Sequence, residues 1–157
     1  MPTKGEPKFE LRASVKAEKQ NIREKLEIED EEYLSIFNKN RKYFEEFLRK
    51  TDQKENSNKF LIEKCPVKEK QKILAVGAGS GEDVLGFLEF LKSKDKSFEF
   101  YYLDPSKLSF KEFIKNVKKF KLTEHVSGVD FNKFESFETK KKFDTIIASH
   151  VFYYIKD

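Results

Sequence analysis

The sequence predicts an α/β protein built on a parallel β-sheet, and three observations carry that prediction. Short apolar or aromatic runs alternate with amphipathic stretches of helical spacing. A glycine-rich turn, Gly-Ala-Gly-Ser-Gly at 77–81, follows one of the apolar runs, and an Asp-Pro pair at 104–105 ends another. Because strands that alternate with helices are joined by crossover connections, the strands are expected to run parallel.

The composition limits the class of protein. The 157 residues suffice for one domain with one core, and the net charge of +4 comes from well-mixed acidic and basic residues. A nucleic-acid-binding protein would carry a clustered basic face, so that class is disfavoured. His125 and His150 are isolated and lack the spacing of metal ligands, so we expect no metal site.

Cysteine usage and hydropathy bear on the compartment. A single cysteine, Cys65, excludes an internal disulfide and fits a reducing environment. No apolar run approaches the length that spans a membrane, and the first residues have no apolar core of a secretion signal. We therefore expect an intracellular, cytoplasmic protein without a membrane partner.

The first thirty residues differ from the rest. Residues 1–30 carry dense mixed charge with sparse apolar positions, which predicts a charged leader that is either helical or disordered. A solvated segment is favoured over a partner-binding arm. Residues 31–157 are predicted to form the folded domain.

Two helices are predicted before the first strand. In the first, apolar residues from Leu34 to Leu48, Phe44 among them, lie on one helical face. After a polar break at 50–58, Ser57 or Asn58 is expected to cap a short second helix that ends before Cys65-Pro66. The two helices either cover a ligand site or simply contribute their aromatic stripe to the core.

The apolar run Ile73–Val76 predicts a buried strand that ends in the glycine turn. Ser80 is expected to cap the following helix, with Glu82 and Asp83 in its first turn. A dinucleotide site would need a small residue where Glu82 stands, and a phosphate loop would need Gly-Lys-Ser/Thr. The turn therefore suits a ligand without phosphate, such as S-adenosylmethionine, or it is a strand-to-helix turn with no ligand.

The remaining elements continue the alternation. The sequence predicts a helix through Val84 and Leu91, an aromatic strand at Phe98–Leu103, a helix capped by Ser106, a weak strand at 125–131 and a fourth strand at 143–149. In open parallel sheets, ligands bind beyond the carboxyl ends of the strands. The glycine turn, Asp104 and the pair Ser149–His150 are all expected there, with Asp104 spaced to accept ribose hydroxyls.

A family resemblance rests on these segments. Gly-Ala-Gly-Ser-Gly, Tyr-Tyr-Leu-Asp-Pro-Ser and the final Phe-Asp-Thr-Ile-Ile-Ala-Ser-His-Val-Phe-Tyr-Tyr-Ile-Lys-Asp resemble class I S-adenosylmethionine-dependent methyltransferases and, more narrowly, the histamine N-methyltransferase family. The resemblance implies a Rossmann-like sheet with strand order 3-2-1-4. That fold continues with further strands, so the domain is expected to be incomplete at its C-terminal end, as in a fragment or a decayed enzyme.

The resemblance also implies roles for individual residues. The family's Glu that holds the substrate ammonium aligns with Gln53, its Gln after strand two with Ser109, and its Gln after strand four with His150. Cofactor contacts are implied for Gly77, Ala78, Gly79, Gly81, Asp104, Ser106, Ser109, Asp130, Phe131 and Ser149. Substrate contacts are implied for Phe44, Gln53, His150, Tyr153 and Tyr154, although the two tyrosines fit a packing pair at a helix start equally well.

These implications lead to one functional prediction and two alternatives. The prediction is a methyltransferase that uses S-adenosylmethionine on a small molecule, an amine in particular, with His150 as the base that accepts its proton. The alternatives are a cofactor-binding or interaction module without full catalysis, and an unrelated oxidoreductase domain.

Overall fold

A computed structural model of the chain describes residues 31–151, including the side chains of residues 39, 40, 42–44 and 46–50 in the first helix. The predicted leader, residues 1–30, and the predicted substrate residues Tyr153 and Tyr154 lie outside the described residues. The chain divides into two units, Met1–Asp52 and Gln53–Asp157. Each unit is described by itself, and the predicted extents of leader and domain remain predictions.

The described part of the first unit is one long helix, α1, at Glu31–Lys50. It confirms the helix predicted from the apolar periodicity. On its surface, Glu46 pairs with Arg49 at 2.5 Å and with Lys50 at 3.1 Å, one turn further along. The side chains of Phe44 and Phe47 are 41% and 49% exposed.

The second unit is an α/β arrangement in which four parallel strands stand in the order β3-β2-β1-β4. This confirms the predicted fold class and strand order. None of the helices within residues 31–151 combines the length and apolar character that crossing a membrane requires. The elements are α2 Gln53–Lys64, β1 Gln71–Val76, α3 Leu85–Ser93, β2 Phe98–Leu103, α4 Lys107–Lys119, β3 Val126–Asp130 and β4 Thr145–Ala148, with short 3-10 turns at Thr123–His125 and Phe134–Ser136.

One face of the sheet packs against the aromatic side of α4. The ring of Phe113 lies 5.8 Å from that of Phe100 and 4.5 Å from that of Tyr102, and Phe110 lies 5.1 Å from Tyr102. Phe100, Tyr102 and Phe113 are at most 1% exposed. Since burying one such side chain contributes about 1.5–3 kcal/mol, these rings dominate the packing that holds β2 under α4.

The opposite face is covered by the segment that joins β3 to β4. Leu74, Val76 and Leu103 form its buried centre, and Phe137 and Phe143 pack against them. Ile146, on the same face of β4, is 63% exposed. On this face the side chains at the centre of the sheet are therefore buried, whereas β4 is more exposed to solvent.

Two predicted helix starts are wrong. The helix after the glycine turn begins at Leu85 rather than after Ser80, because residues 81–84 form a separate turn in which the Val84 amide donates to the Gly81 carbonyl. Ser80 bonds to the Glu82 side chain at 3.2 Å and caps nothing. The second helix begins at Gln53, so Asn58 lies inside it and is not a cap.

Candidate functional site

The glycine turn lies at the carboxyl end of β1. Gly77 and Gly79 have φ values of +62° and +53°, a region that L side chains seldom adopt. The Gly77 amide donates to the Leu103 carbonyl of β2 at 2.8 Å, which ties the turn to the neighbouring strand. Within the described part of the chain, no atom outside Ala78–Ser80 lies within 4 Å of a Cβ built on Gly79. A ligand could therefore approach the backbone at this glycine.

Asp104, which follows β2, points at that turn. Its Oδ2 accepts a hydrogen bond from the Gly79 amide at 2.9 Å, and its Oδ1 accepts one from the Ser106 amide at 2.7 Å. Burial raises the pKa of Asp104 above its ordinary value, while the two backbone hydrogen bonds oppose that rise. Each carboxylate oxygen still has capacity for a further hydrogen bond. Asp104 is thus a fixed hydrogen-bond acceptor beside the open side of Gly79.

Three side chains that the sequence analysis did not assign to this site donate hydrogen bonds to backbone carbonyls of the turn and of Glu82. Tyr102 donates its hydroxyl hydrogen bond to the Gly79 carbonyl at 2.9 Å, and Asn116 donates to the Ser80 carbonyl at 3.0 Å. Asn58 donates to the Glu82 carbonyl at 2.8 Å. For Tyr102 a signal existed, since it stands two residues before Asp104 and so shares its side of β2.

Asn58 also joins α2 to the start of α3. Its Oδ1 accepts a hydrogen bond from the Phe87 amide at 2.9 Å, and its Nδ2 also bonds to the Lys54 carbonyl at 2.8 Å. Lys54 forms an ion pair with Glu82 beside it. These contacts fix α2, and with it the predicted substrate residue Gln53 at its first position, against the segment that leaves the glycine turn.

The corner between β2 and α4 places several predicted cofactor residues together. Ser106 caps α4 by accepting from the Ser109 amide at 3.2 Å, as predicted for Ser106, and both serines are buried. Phe131 packs edge-on against Phe110 at 5.0 Å. Asp130 ends β3, and its carbonyl accepts the Asp104 amide hydrogen bond at 3.1 Å. The ends of β2 and β3 are therefore joined directly at Asp104.

The segment after β4 comes back to the glycine turn. Ser149 is half-buried and His150 is exposed, and His150 adopts φ of +55°. The side chain of Val151 stands where a side chain on Gly77 would be, with its Cγ2 2.4 Å from a Cβ built there. The structure thus brings the Ser149–Val151 segment to the glycine turn. This place lies between the neighbouring strands β1 and β4, where the strand order reverses.

The predicted substrate role of Phe44 stays a prediction. This residue belongs to α1, in the unit that ends at Asp52, and is described only there. Among residues 31–151, no group of three or more His, Cys, Asp or Glu side chains is arranged to hold a metal ion.

A separate cavity of about 240 Å³ lies on the other face of the sheet. It is bounded by Leu74, Tyr101 and Gly128 on the strands and by Phe137 and Phe143 on the connection that follows β3. Tyr101 donates a hydrogen bond to Glu99 there at 2.5 Å. This cavity is lined by largely different residues from the glycine turn.

Comparisons with known proteins show which solved structures share the fold. No protein-family profile matches the chain, and no curated protein matches it. Coclaurine N-methyltransferase bound to N-methylheliamine and SAH matches over 60% of this chain and 26% of its own, with a TM-score of 0.51 and 16% identity. A SAM-dependent methyltransferase from Geobacter sulfurreducens, in complex with S-adenosyl-L-homocysteine, matches over 62% of this chain and 37% of its own, with a TM-score of 0.51 and 13% identity.

Both matched proteins are methyltransferases, and this chain spans 26% and 37% of their lengths. At these identities the likeness is one of fold. The second unit therefore has the Rossmann-like fold found in S-adenosylmethionine-dependent methyltransferases, with its strands in the order β3-β2-β1-β4.

Proposed function

We propose that this chain forms the S-adenosylmethionine site of a methyltransferase that acts on a small molecule. One observation carries the proposal: the buried Asp104 carboxylate accepts a hydrogen bond from the amide of Gly79, the glycine of the turn whose open side faces no side chain. A carboxylate and a bare backbone suit a nucleoside with two hydroxyls and no phosphate. The fold shared with methyltransferases supports the same ligand.

The Asp104 carboxylate and the open side of Gly79 suit that cofactor. Asp104 would accept hydrogen bonds from the ribose hydroxyls, and the backbone from Gly77 to Gly81 would lie along the methionine part. Phe131 and Asp130 would border the adenine, because they lie at the carboxyl end of β3, where the Asp130 carbonyl accepts the Asp104 amide hydrogen bond. When bound, S-adenosylmethionine supplies a methyl group on a sulfonium that needs no further activation. The task of the protein is then to hold the acceptor in line and exclude water.

An amine is the proposed acceptor, as in the histamine N-methyltransferase family that the sequence resembles. An amine must lose its ammonium proton before it can accept a methyl group. His150 is exposed on the segment that reaches the glycine turn through Val151, and an imidazole can take a proton near neutral pH. Gln53, at the start of α2, would contact the substrate from a helix that Asn58 fixes to the turn.

Separate titrations of the full chain with S-adenosylmethionine and with NADH test the proposal, followed by turnover on a panel of small amines. We expect saturable binding of S-adenosylmethionine, no binding of NADH, and formation of S-adenosylhomocysteine with an amine. A preference for NADH would contradict the proposal and favour an oxidoreductase. Cofactor binding without turnover on any amine would favour the alternative of a cofactor-binding module.

A further inference from the structure

Tyr102 is the most deeply buried polar side chain that reaches the glycine turn in the described part of the chain. It is 1% exposed, and its ring is packed against Phe110 and Phe113 at 5.1 and 4.5 Å. Burial raises the pKa of Tyr102 well above its ordinary value. The phenol therefore stays protonated and can only donate to the Gly79 carbonyl, 2.9 Å away.

Both polar groups of the Gly79 backbone, the amide and the carbonyl, are thus hydrogen-bonded to side chains. Asp104 takes its amide hydrogen bond and Tyr102 supplies one to its carbonyl. Tyr102 lies in β2 and Asp104 directly follows that strand, two residues later, so the two side chains point to the same side. A glycine populates positive and negative φ about equally when nothing restrains it. In this structure Gly79 has a positive φ and makes both hydrogen bonds.

We propose that Tyr102 is a positioning residue for the ligand site. Its buried hydroxyl holds the Gly79 carbonyl, and so keeps the Gly79 amide hydrogen-bonded to Asp104 and the turn open to a nucleoside. The identity of that nucleoside rests on the proposed function. The fixing of Gly79 does not, because it concerns only residues of this chain. Asn116 acts on the next peptide through its hydrogen bond to the Ser80 carbonyl.

The chain offers a matched pair of variants. Tyr102→Phe keeps the packed ring and removes one donor from the turn. Tyr101→Phe removes a hydroxyl from the adjacent residue, which faces the opposite side of the sheet and bonds to Glu99. Both variants lose one hydrogen bond from the same strand. Only the first should disturb Gly79.

Amide hydrogen exchange of the full chain without ligand gives the first measurement. One neutral hydrogen bond corresponds to about a 2- to 12-fold change in an equilibrium, so exchange at Gly79 should quicken by that factor in Tyr102→Phe. Exchange at Gly79 should not change in Tyr101→Phe. An unchanged Gly79 in Tyr102→Phe, or equal changes in both variants, would overturn the proposal.

Binding of S-adenosylhomocysteine gives the second measurement. Its dissociation constant should rise by a similar factor, about 2- to 12-fold, in Tyr102→Phe and stay constant in Tyr101→Phe. If the wild-type chain binds no S-adenosylhomocysteine, the proposed function fails, while the exchange measurement still decides the role of Tyr102.

A third measurement needs no variant. In the wild-type chain the Tyr102 hydroxyl proton should give a resolved, slowly exchanging resonance, because it is buried and hydrogen-bonded. Rapid exchange of that proton with water would overturn the proposal, even if Tyr102→Phe failed to fold.

Discussion

Alanine substitutions at two glycines of the turn separate backbone strain from steric overlap. Gly77 and Gly79 both have positive φ, so alanine at either costs about 1–2 kcal/mol of unfolding free energy. At Gly77 the new Cβ would also stand 2.4 Å from Val151 Cγ2 and 2.8 Å from its Cβ. Overpacking of this kind costs about 1–3 kcal/mol more. Gly77→Ala should therefore destabilise the chain by about 2–5 kcal/mol and Gly79→Ala by about 1–2 kcal/mol.

Urea unfolding, followed by tyrosine fluorescence, measures both free energies. Any gain from stiffening the unfolded chain is common to the two variants and cancels in their difference. Adding Val151→Ala to Gly77→Ala should restore part of the loss, with a coupling energy of about 0.5–3 kcal/mol. Equal losses for Gly77→Ala and Gly79→Ala, or no coupling to Val151, would refute the reasoning.

The order should reverse for ligand binding. The methyl group of Gly79→Ala meets no described atom beyond its chain neighbours, so it would occupy space that the proposed ligand needs. A steric cost of about 1–3 kcal/mol corresponds to roughly 5- to 150-fold weaker binding of S-adenosylhomocysteine. Binding to Gly79→Ala that matches the wild-type chain would place the ligand elsewhere.

Three further variants probe the site. Asn58→Ala loses three hydrogen bonds and should lower the unfolding free energy by about 2–4 kcal/mol. Its control, Asn132→Ala at an exposed position, should change that free energy by less than about 0.5 kcal/mol. Equal effects of the two variants in urea unfolding would contradict the role of Asn58. Folding raises the pKa of the Asp104 carboxyl above its ordinary value of 3.8. The protonated carboxyl therefore stabilises the folded state at pH values below 3.8, and this contribution is lost as the pH rises through the raised pKa. The stability of the wild-type chain relative to Asp104→Asn should therefore fall across that window, and a constant difference between them would refute the assignment. His150→Gln should leave S-adenosylhomocysteine affinity intact and change the pH dependence of methyl transfer to an amine, and an unchanged pH profile and substrate range would count against His150 as the base.

Local patterns predicted the sheet well. The strand Phe98–Leu103 matches its prediction residue for residue, because four of its six residues are aromatic and Asp104-Pro105 prevents its continuation. The alternation of elements predicted parallel strands, and the family resemblance predicted their order. Asp104 was expected near the glycines because it ends strand two at the same edge of the sheet, and its Oδ2 accepts a hydrogen bond from the Gly79 amide at 2.9 Å.

What the sequence did not reveal depends on contacts between distant segments. Asn58 looked like a helix cap because asparagine favours that position, yet it lies within α2 and bonds to residues 82 and 87, far along the chain. Ser80 looked like a cap for the same reason, but its hydroxyl bonds to Glu82. The sequence identifies Tyr102 as a strand residue, but its hydrogen bond to the Gly79 carbonyl depends on how the turn folds back over the strand.

The most direct test of the ligand site is a ¹⁵N-resolved NMR titration of the full chain with S-adenosylhomocysteine. The amide resonances of Gly77, Gly79 and Gly81 and that of Asp104 should shift together and saturate at one equivalent. If these amides stay unperturbed, or the shifts concentrate on Tyr101 and Gly128 beside the other cavity, the glycine turn is not the nucleoside site.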